Sequence, residues 1–277
     1  MFPNRYNLSA FKLQVNRFLL DREYLERYLI YNKGSIERAK KHFEKLCTYR
    51  TLMPEFLQNF DVKNEFESIR SCSKFAIISK PTADNYRVAI AVIHGHNDKF
   101  EIASYYKYVV AIADYILYHD YCRGWQLIFD TRDMHYSMLT KLNPIVISKA
   151  ISLIIETMGQ RMKSAHFISG SKLFDTVTNV FKQAMSQKLG KRLKIHDSLE
   201  SLHEYVEKGH LPAEYGGEGK PLQQSDDDIF REVSSDEHIA RMKFLESAST
   251  DESCRLSSKF NEEYCGTAGS FKTMVLD

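Results

Sequence analysis

Two groups of polar side chains follow strand-like runs and have residue types that can do chemistry. Asp130, Asp133 and His135 come at or after the end of the run GWQLIF, and carboxylates beside an imidazole can act as general acid and base. His94 and His96 flank a single glycine and could supply two ligands to a metal ion. No further ligand follows at the spacing of a zinc site, and polar groups commonly cap strand ends. We therefore favour a strand cap and a turn, and we expect no catalytic residues, metal or cofactor.

The motifs of the common catalytic classes are missing from the sequence, which has no GxSxG, P-loop, GxGxxG or HExxH pattern. None of its five cysteines forms a CxxC pair, so we expect free thiols in a cytoplasmic protein, with Cys122 buried. The N-terminus lacks the apolar core of a signal peptide, and the longest apolar runs are too short to cross a bilayer. A net charge of +2 does not fit a dedicated nucleic-acid binder.

The elements that position these side chains begin with a helical region over the first seventy residues. Two helical runs are separated at Asn32–Gly34, Ser35 is placed to cap the second, and Pro54 ends it. The second run carries an apolar stripe at spacings of three and four: Ile36, Ala39, Phe43 and Leu46.

After residue 71 the sequence alternates between strand-like and helix-like runs. Predicted strands cover 74–79, 86–95, 124–133, 164–169 and 191–197, and predicted helices cover 102–119, 143–158 and 171–188. Asn143 and Pro144 begin the second of these helices. Alternation of this kind requires crossover connections, so we predict an α/β fold with a mixed, mostly parallel five-stranded sheet and helices packed against it.

An amphipathic helix over residues 172–185 is followed by a basic segment. Its apolar face is formed by Leu173, Phe174, Val177, Val180, Phe181, Ala184 and Met185. No acidic residue lies between Asp175 and Asp197, and the cations in that window are Lys182, Lys188, Lys191, Arg192 and Lys194. The pattern suits an anionic lipid surface. Ordinary core packing of the helix, and a solvated turn whose acids come from elsewhere, are the alternatives.

The segment LPAEYGG, at 211–217, carries a family resemblance. With the strand and helix before it, it resembles the closing segment of the CRAL-TRIO (Sec14-like) lipid-binding proteins. Residues 34–56 resemble the helical N-terminal domain of that family, GWQLIFDTRD resembles its strand ending in Asp, and residues 266–277 resemble the end of insect-type members. Together these segments extend over about residues 10–217 and the last dozen.

The resemblance implies a helical N-terminal domain at 1–70, a lipid-binding domain at 71–217 and, with the polar composition that follows, a peripheral tail at 218–277. It implies a pocket between sheet and helices that holds one lipid, with the helix over 172–185 as a mobile gate. By similarity to tocopherol-binding members, the ligand-binding positions are Tyr108, Ala111, Phe129, Tyr136, Leu142, Ala150, Leu153, Ile154, Met158, Met162, Ala165, Val177, Val180 and Met185. Tyr108 and Tyr136 would orient a ligand hydroxyl.

The same resemblance places phosphoinositide-binding cations at Lys41, Arg161, Lys163, Lys188 and Arg192. The sequence departs from the family pattern at Gly190, where a headgroup cation is expected, at Ala111, where a serine is expected, and at Met158–Gly159. These departures concern the ligand and leave the expected fold unchanged.

The function that we expect is that of a monomeric, non-enzymatic cytoplasmic carrier. It would take one hydrophobic molecule, α-tocopherol or a similar isoprenoid, between membranes and open its gate at a phosphoinositide-containing surface. One alternative is a phosphoinositide-binding signalling or scaffold module without cargo. The other is a hydrolase or isomerase that acts on a bound lipid through Asp130 or His135.

Overall fold

The structure, a computed structural model, describes residues 22–60, 62–95, 98–168 and 174–248. The first described elements are three helices, α1 (Arg22–Tyr31), α2 (Ile36–Leu52) and α3 (Pro54–Leu57). Ser35 caps α2 as predicted, because its hydroxyl accepts a hydrogen bond from the backbone N–H of Arg38 at 3.2 Å. A π-helical turn (Val62–Phe66) and a short helix α4 (Glu67–Arg70) then lead to the sheet.

Five strands form one sheet in which the spatial order is the chain order. They are β1 (Ser73–Ile77), β2 (Arg87–Ile93), β3 (Trp125–Asp130), β4 (Met162–Ile168) and β5 (Leu193–His196). The first two strands form an antiparallel pair, and the other neighbours are parallel. This confirms the predicted α/β fold with a mixed, mostly parallel sheet.

The crossover helices pack on one face of the sheet. They are α5 (Ile102–His119), α6 (Pro144–Ser152), which continues as a π-helical turn (Leu153–Thr157), and α7 (Phe174–Ala184), followed by the short α8 (Gln187–Gly190). A 3-10 helix (Tyr136–Lys141) precedes α6. Asn143 caps α6 as predicted, since its side-chain oxygen accepts hydrogen bonds from the backbone N–H groups of Ile145 and Val146. Most of the buried apolar side chains lie on this side of the sheet and in the N-terminal helices.

The opposite face of the sheet is covered by α9 (Leu199–His203) and two 3-10 turns, Lys208–His210 and Ala213–Tyr215. A second, smaller apolar cluster lies there, and its members include Ile90, Ile128, Leu211 and Tyr215. This face is filled by residues of the closing segment.

The LPAEYGG segment is a turn that fixes this cover to the end of β3. The hydroxyl of Tyr215 donates a hydrogen bond to the Asp130 carboxylate at 2.7 Å. Arg132 donates to the same carboxylate through Nε at 3.0 Å and Nη2 at 2.7 Å. Glu214 accepts a hydrogen bond from the backbone N–H of Leu222 at 3.0 Å, which starts the next helix. Asp130 is therefore a strand cap that holds the closing turn, as the sequence interpretation favoured.

The region after the turn differs from the expectation of a peripheral tail. Helices α10 (Leu222–Val233) and α11 (Asp236–Glu246) pack on β1, α5 and α1, and residues Ile229, Val233, Met242 and Leu245 are buried in the main core. The acidic run that suggested a solvated tail contains Asp226, which is only 1% exposed. Its carboxylate accepts hydrogen bonds from the backbone N–H of Phe75 at 2.8 Å and from Arg70 at 2.6 and 2.9 Å. Residues 249–277 lie outside the described part of the chain.

A buried pair of histidines lies on the second face, away from the helices α5–α7. Nδ1 of His166 and Nε2 of His196 are 2.9 Å apart. The other ring nitrogens are hydrogen-bonded to hydroxyl groups, Nε2 of His166 to Ser164 and Nδ1 of His196 to Ser201. Burial, and after it the neighbouring imidazole, lower the pKa of His166 to about 4. His166 is therefore neutral at physiological pH and acts as part of a hydrogen-bonded packing layer.

Within the part of the chain that the structure describes, we find no helix long and apolar enough to cross a membrane.

Gly217→Ala should destabilise the fold, because a Cβ atom at this position would stand 1.9 Å from the carbonyl oxygen of Leu211 and 2.4 Å from that of Lys208. Both atoms belong to the backbone and cannot rotate away, so we expect a loss of about 1–3 kcal/mol in the free energy of unfolding, measured with urea. Gly209→Ala, in the same segment, has no atom within 4 Å of its added Cβ and is the matched control. Equal stability of the two variants would contradict this account of the turn.

Candidate ligand cavity

An apolar cavity lies between the sheet and helices α5, α6 and α7. Tyr105, Tyr106, Val109, Ile112 and Ala113 line it from α5, and the sheet and the remaining helical segments contribute Phe75, Trp125, Leu127, Phe129, Ile151, Ile154, Ile155, Gln160, Met162, Phe181 and Met185.

A second, smaller cavity adjoins the first towards the ends of the parallel strands. Both cavities are lined by Tyr105, Tyr106, Phe129 and Phe181, so these four aromatic side chains form the wall between them. The other residues around the smaller cavity are Ala91, Ile93, Ile102, Asp130, Thr131, Met134, Leu142, Phe167 and Val177.

The side chains that line the cavities include few groups that could act in catalysis or bind a polar ligand. No charged side chain lines the larger one. Gln160 accepts a hydrogen bond from Trp125 Nε1 at 2.5 Å and donates one to the carbonyl of Ala113 at 2.6 Å, so both ends of its amide are already engaged. At the smaller cavity, the Asp130 carboxylate is paired with Arg132 and Tyr215. A site of this kind can bind an apolar molecule and hold it out of water.

The residues considered for catalysis and metal binding do not meet at this site. Asp133 and His135 are exposed and line neither cavity. His94 is the only described member of the possible metal pair, because His96 lies outside the described residues. Within the described ranges, no group of three or more His, Cys, Asp or Glu side chains is arranged to hold a metal ion.

Helix α7 forms one wall of the cavities, at the place predicted for the gate. Val177, Phe181 and Ala184 are buried on its inner side, whereas Asn179 and Lys182 are exposed. The Phe181 ring packs on two aromatic rings of the sheet, with centroids 5.2 Å from Phe129 and 5.0 Å from Phe167. Leu173 and the side chain of Phe174, which belong to the predicted apolar face, lie outside the description.

The structure brings together some of the predicted ligand-binding residues and leaves others apart. Phe129, Ile154, Met162 and Met185 line the larger cavity, and Leu142 and Val177 line the smaller. Tyr108, Ala111, Tyr136, Ala150, Leu153, Met158, Ala165 and Val180 line neither.

The two tyrosines expected to orient a ligand hydroxyl are among those that line neither cavity. Tyr108 lies on another side of α5, where its ring centroid is 4.9 Å from that of Phe66 and 6.5 Å from that of Phe230. Tyr136 is 65% exposed. The neighbours that the sequence reasoning missed are Tyr105 and Tyr106. Helix α5 is apolar on nearly all sides, so its sequence periodicity does not indicate which face meets the cavity.

Three of the five predicted phosphoinositide-binding cations already have a hydrogen-bond or ion-pair partner in the protein. Arg192 donates to the carbonyl of Met162, and Arg161 donates to the carbonyl of Ile30 at 3.2 Å. Lys163 forms an ion pair with Asp84 at 2.8 Å. These three lie where the parallel strands begin.

The other cations of this region are exposed. Lys188 lies on α8, in the connection that follows α7, and Lys41 lies on α2. Lys182, Lys188, Lys191 and Lys194 are exposed and make no ion pair with the described residues. The segment from α7 through β5 therefore carries positive charge without an ion-pair partner within the described chain.

Comparison with known proteins gives a consistent set of relatives. Residues 71–217 match the profile of the CRAL/TRIO domain. Alpha-tocopherol transfer protein-like from Mus musculus is 26% identical over 95 residues, which cover 34% of this chain and 28% of that protein. Clavesin-1 from Xenopus laevis is 27% identical over 95 residues, 34% of this chain and 29% of that protein. Each match thus spans less than a third of the relative's length.

The fold is also similar to that of a solved structure. The crystal structure of Sfh5 superposes with a TM-score of 0.53 at 12% sequence identity, covering 74% of this chain and 76% of the other. At this identity the likeness concerns the fold.

Val177→Asp should loosen helix α7, because Val177 is 1% exposed and a carboxylate at this position would be buried among apolar side chains. We expect a loss of at least about 2 kcal/mol in the local stability of α7, seen as faster amide hydrogen exchange at residues 176–184. Asn179→Asp makes the same charge change on the exposed side of the helix and is the control. Equal exchange in both variants would show that α7 is not held by its inner face.

Proposed function

Because the chain belongs to the CRAL/TRIO domain family, we propose that it binds a single hydrophobic lipid and carries it between membranes without transforming it. The observation that carries this proposal is the apolar cavity between the sheet and the crossover helices, closed on one side by an amphipathic helix. Burying the apolar surface of a lipid there is favourable by roughly 25 cal/mol per Å². No charged side chain lines this cavity, which favours a carrier over an enzyme.

The gate is proposed to exchange one apolar partner for another. In the closed state Val177 and Phe181 of α7 face the cavities. On a bilayer the same face would contact lipid, so opening would not expose it to water, and the difference in free energy between the two states can remain small. The membrane then acts as the ligand that shifts the gate towards its open state.

The exposed lysines beyond the gate support an anionic membrane as the partner. Lys182, Lys188 and Lys191 are exposed on α7, α8 and the residues that follow. Each cation near an anionic leaflet contributes about 1 kcal/mol. We therefore propose a monomer that works in the cytoplasm and docks transiently on phosphoinositide-containing membranes, with this surface against the bilayer.

The cargo proposed first is α-tocopherol or a similar isoprenoid. Two observations support this choice. The lining of the larger cavity is uncharged, and a protein that matches 34% of this chain is described as alpha-tocopherol transfer protein-like. A phosphoinositide-binding signalling or scaffold module is the second candidate, because the basic surface is present whether or not the cavity is filled.

The first test is native mass spectrometry of the purified chain, followed by organic extraction of whatever lipid is bound. One neutral lipid per protein, or a one-to-one complex formed when α-tocopherol or retinol is offered, is the expected result. A chain that stays empty with both and binds only to phosphoinositide vesicles would replace the carrier by the scaffold module.

Lys188→Ala combined with Lys191→Ala should slow transfer of α-tocopherol out of phosphoinositide-containing vesicles much more than it weakens α-tocopherol binding. Two lost cations of about 1 kcal/mol each correspond to a roughly thirtyfold weaker membrane affinity. Arg192 is left in place because its guanidinium also bonds the Met162 carbonyl.

The matched control removes two exposed lysines from other elements, Lys208→Ala with Lys243→Ala. Transfer should then stay close to the wild-type rate, and neutral vesicles should abolish the difference between all three proteins. An equal slowing by both pairs would mean that net charge alone, and no particular surface, controls transfer.

A further inference from the structure

The π-helical turn Leu153–Thr157 follows α6 and lines the larger cavity with Ile154 and Ile155. In this turn the carbonyl of Leu153 accepts a hydrogen bond from the backbone N–H of Met158, five residues further on, at 3.4 Å. Turns of this kind are rare, occur mostly as single insertions in α-helices and are frequent at functional sites. The wall of the cavity therefore contains a stretch that departs from the α-helical register.

The side chain of Thr157 explains why the chain takes this register. Its hydroxyl donates a hydrogen bond to the carbonyl of Leu153, which in an α-helix would accept the backbone N–H of Thr157 itself. A threonine hydroxyl that bonds back to the carbonyl four residues earlier competes with the regular helical hydrogen bonds at that point. Thr157 is fully buried, so water does not take the place of this contact.

Two helices of the N-terminal region hold the turn from outside the cavity. The hydroxyl of Tyr28 on α1 donates a hydrogen bond to the carbonyl of Thr157, and Lys45 on α2 forms an ion pair with Glu156. Helix α2 also packs directly on the turn. Tyr28 and Lys45 are both buried, so water competes little for either contact.

The chain is also held on the sheet side of the turn. Gln160 accepts a hydrogen bond from Trp125 and donates one to the carbonyl of Ala113. Because the chain is fixed before and after the turn, a change of register has to appear as a rotation of the side chains between, about 100° for one residue of an α-helix. Ile154 and Ile155 would then leave their places in the cavity lining.

We propose that α1 and α2 determine which ligands fit the cavity, because they hold this turn in its π-helical register. Tyr28, Lys45 and Thr157 are positioning residues that line neither cavity and act through Ile154 and Ile155. The assignment rests on the proposed lipid-carrier function and gives the N-terminal helices a role in ligand selection. Loss of either contact should let the turn relax to the α-helical register, and the lining should then admit longer molecules.

Displacement of the apolar probe N-phenyl-1-naphthylamine by n-alkanols, from octanol to hexadecanol, measures the chain length that the cavity accepts. Each buried methylene group should tighten binding about fourfold until the cavity is filled, so affinity plotted against chain length ends in a cut-off. Tyr28→Phe and Lys45→Met each remove one contact to the turn and nearly keep the size of the side chain. Their cut-off should be longer than that of the wild type by about two to four methylene groups, because an isoleucine side chain turned out of the lining vacates the space of about four carbon atoms.

Each variant has a matched control in a contact whose residues line neither cavity. Tyr31→Phe removes a buried hydroxyl from the same helix α1, where it lies 2.8 Å from Cys122 Sγ. Lys107→Met breaks an ion pair with Glu65 that is buried to a similar degree as the pair of Lys45. Both controls should keep the wild-type cut-off.

Amide hydrogen exchange of the same proteins tests the turn directly. Residues 153–160 should exchange faster in Tyr28→Phe and Lys45→Met than in the wild type, and at the wild-type rate in both controls. The two variants act on different atoms of the turn, so one of them suffices if the other does not fold.

The outcomes separate this inference from the function on which it rests. A cut-off that stays at the wild-type length in Tyr28→Phe and Lys45→Met, or that moves equally in the controls, overturns the role of the N-terminal helices while a lipid-binding cavity stands. If neither the naphthylamine probe nor any alkanol binds to the wild type, the proposed function and the ligand selection are both overturned.

Discussion

One face of the sheet is filled and the other borders a cavity. This difference depends on the carboxylate of Asp130. It ends β3, accepts hydrogen bonds from Tyr215 and Arg132, and thereby fixes the closing turn to the sheet. The turn carries Leu211 and Tyr215 into the second apolar cluster, which fills one face. The other face is then the place where apolar surface can remain unfilled. A carboxylate at a strand end, which resembles an acid–base group in sequence, serves here to hold a cover in place.

Helix α7 is the wall that closes the unfilled face. Its inner residues are apolar and its outer residues polar, so it is stable against the cavity, and the same division of faces is of the kind that suits a membrane surface. Phe181 is central to this wall because it packs on Phe129 and Phe167 and helps to separate the two cavities. Exposed lysines lie on this helix and in the segment that follows it.

The far edge of the sheet is protected by the C-terminal helices. The strand β1 lies at the edge, where unpaired backbone groups invite association with other chains. Asp226 of α10 accepts the backbone N–H of Phe75, and its own charge is compensated by Arg70. Helix α11 adds a second buried pair, between Arg241 and Asp114 of α5. The C-terminal region up to residue 246 is therefore part of the same packed unit as the cavity.

The sequence by itself determined the elements and their order. Apolar periodicity and the caps at Ser35 and Asn143 act locally, within a few residues, so they can be read without a structure. The LPAEYGG turn could be recognised for the same reason, because Gly217 meets backbone atoms of its own segment. The amphipathic helix α7 and the basic segment after it were also visible as local patterns.

Only the tertiary structure decided which of these residues share a site. Helix α5 is apolar almost all round, so its sequence does not show which side faces the cavities. Packing alone places Tyr105 and Tyr106 at the cavities and the Tyr108 ring against Phe66. Packing likewise buries Asp226, engages Arg192 at the Met162 carbonyl and exposes Tyr136. Sequence periodicity reports which side chains prefer to leave water. It does not report which partners meet them or where the space between them stays empty, because both depend on contacts between segments far apart in the chain.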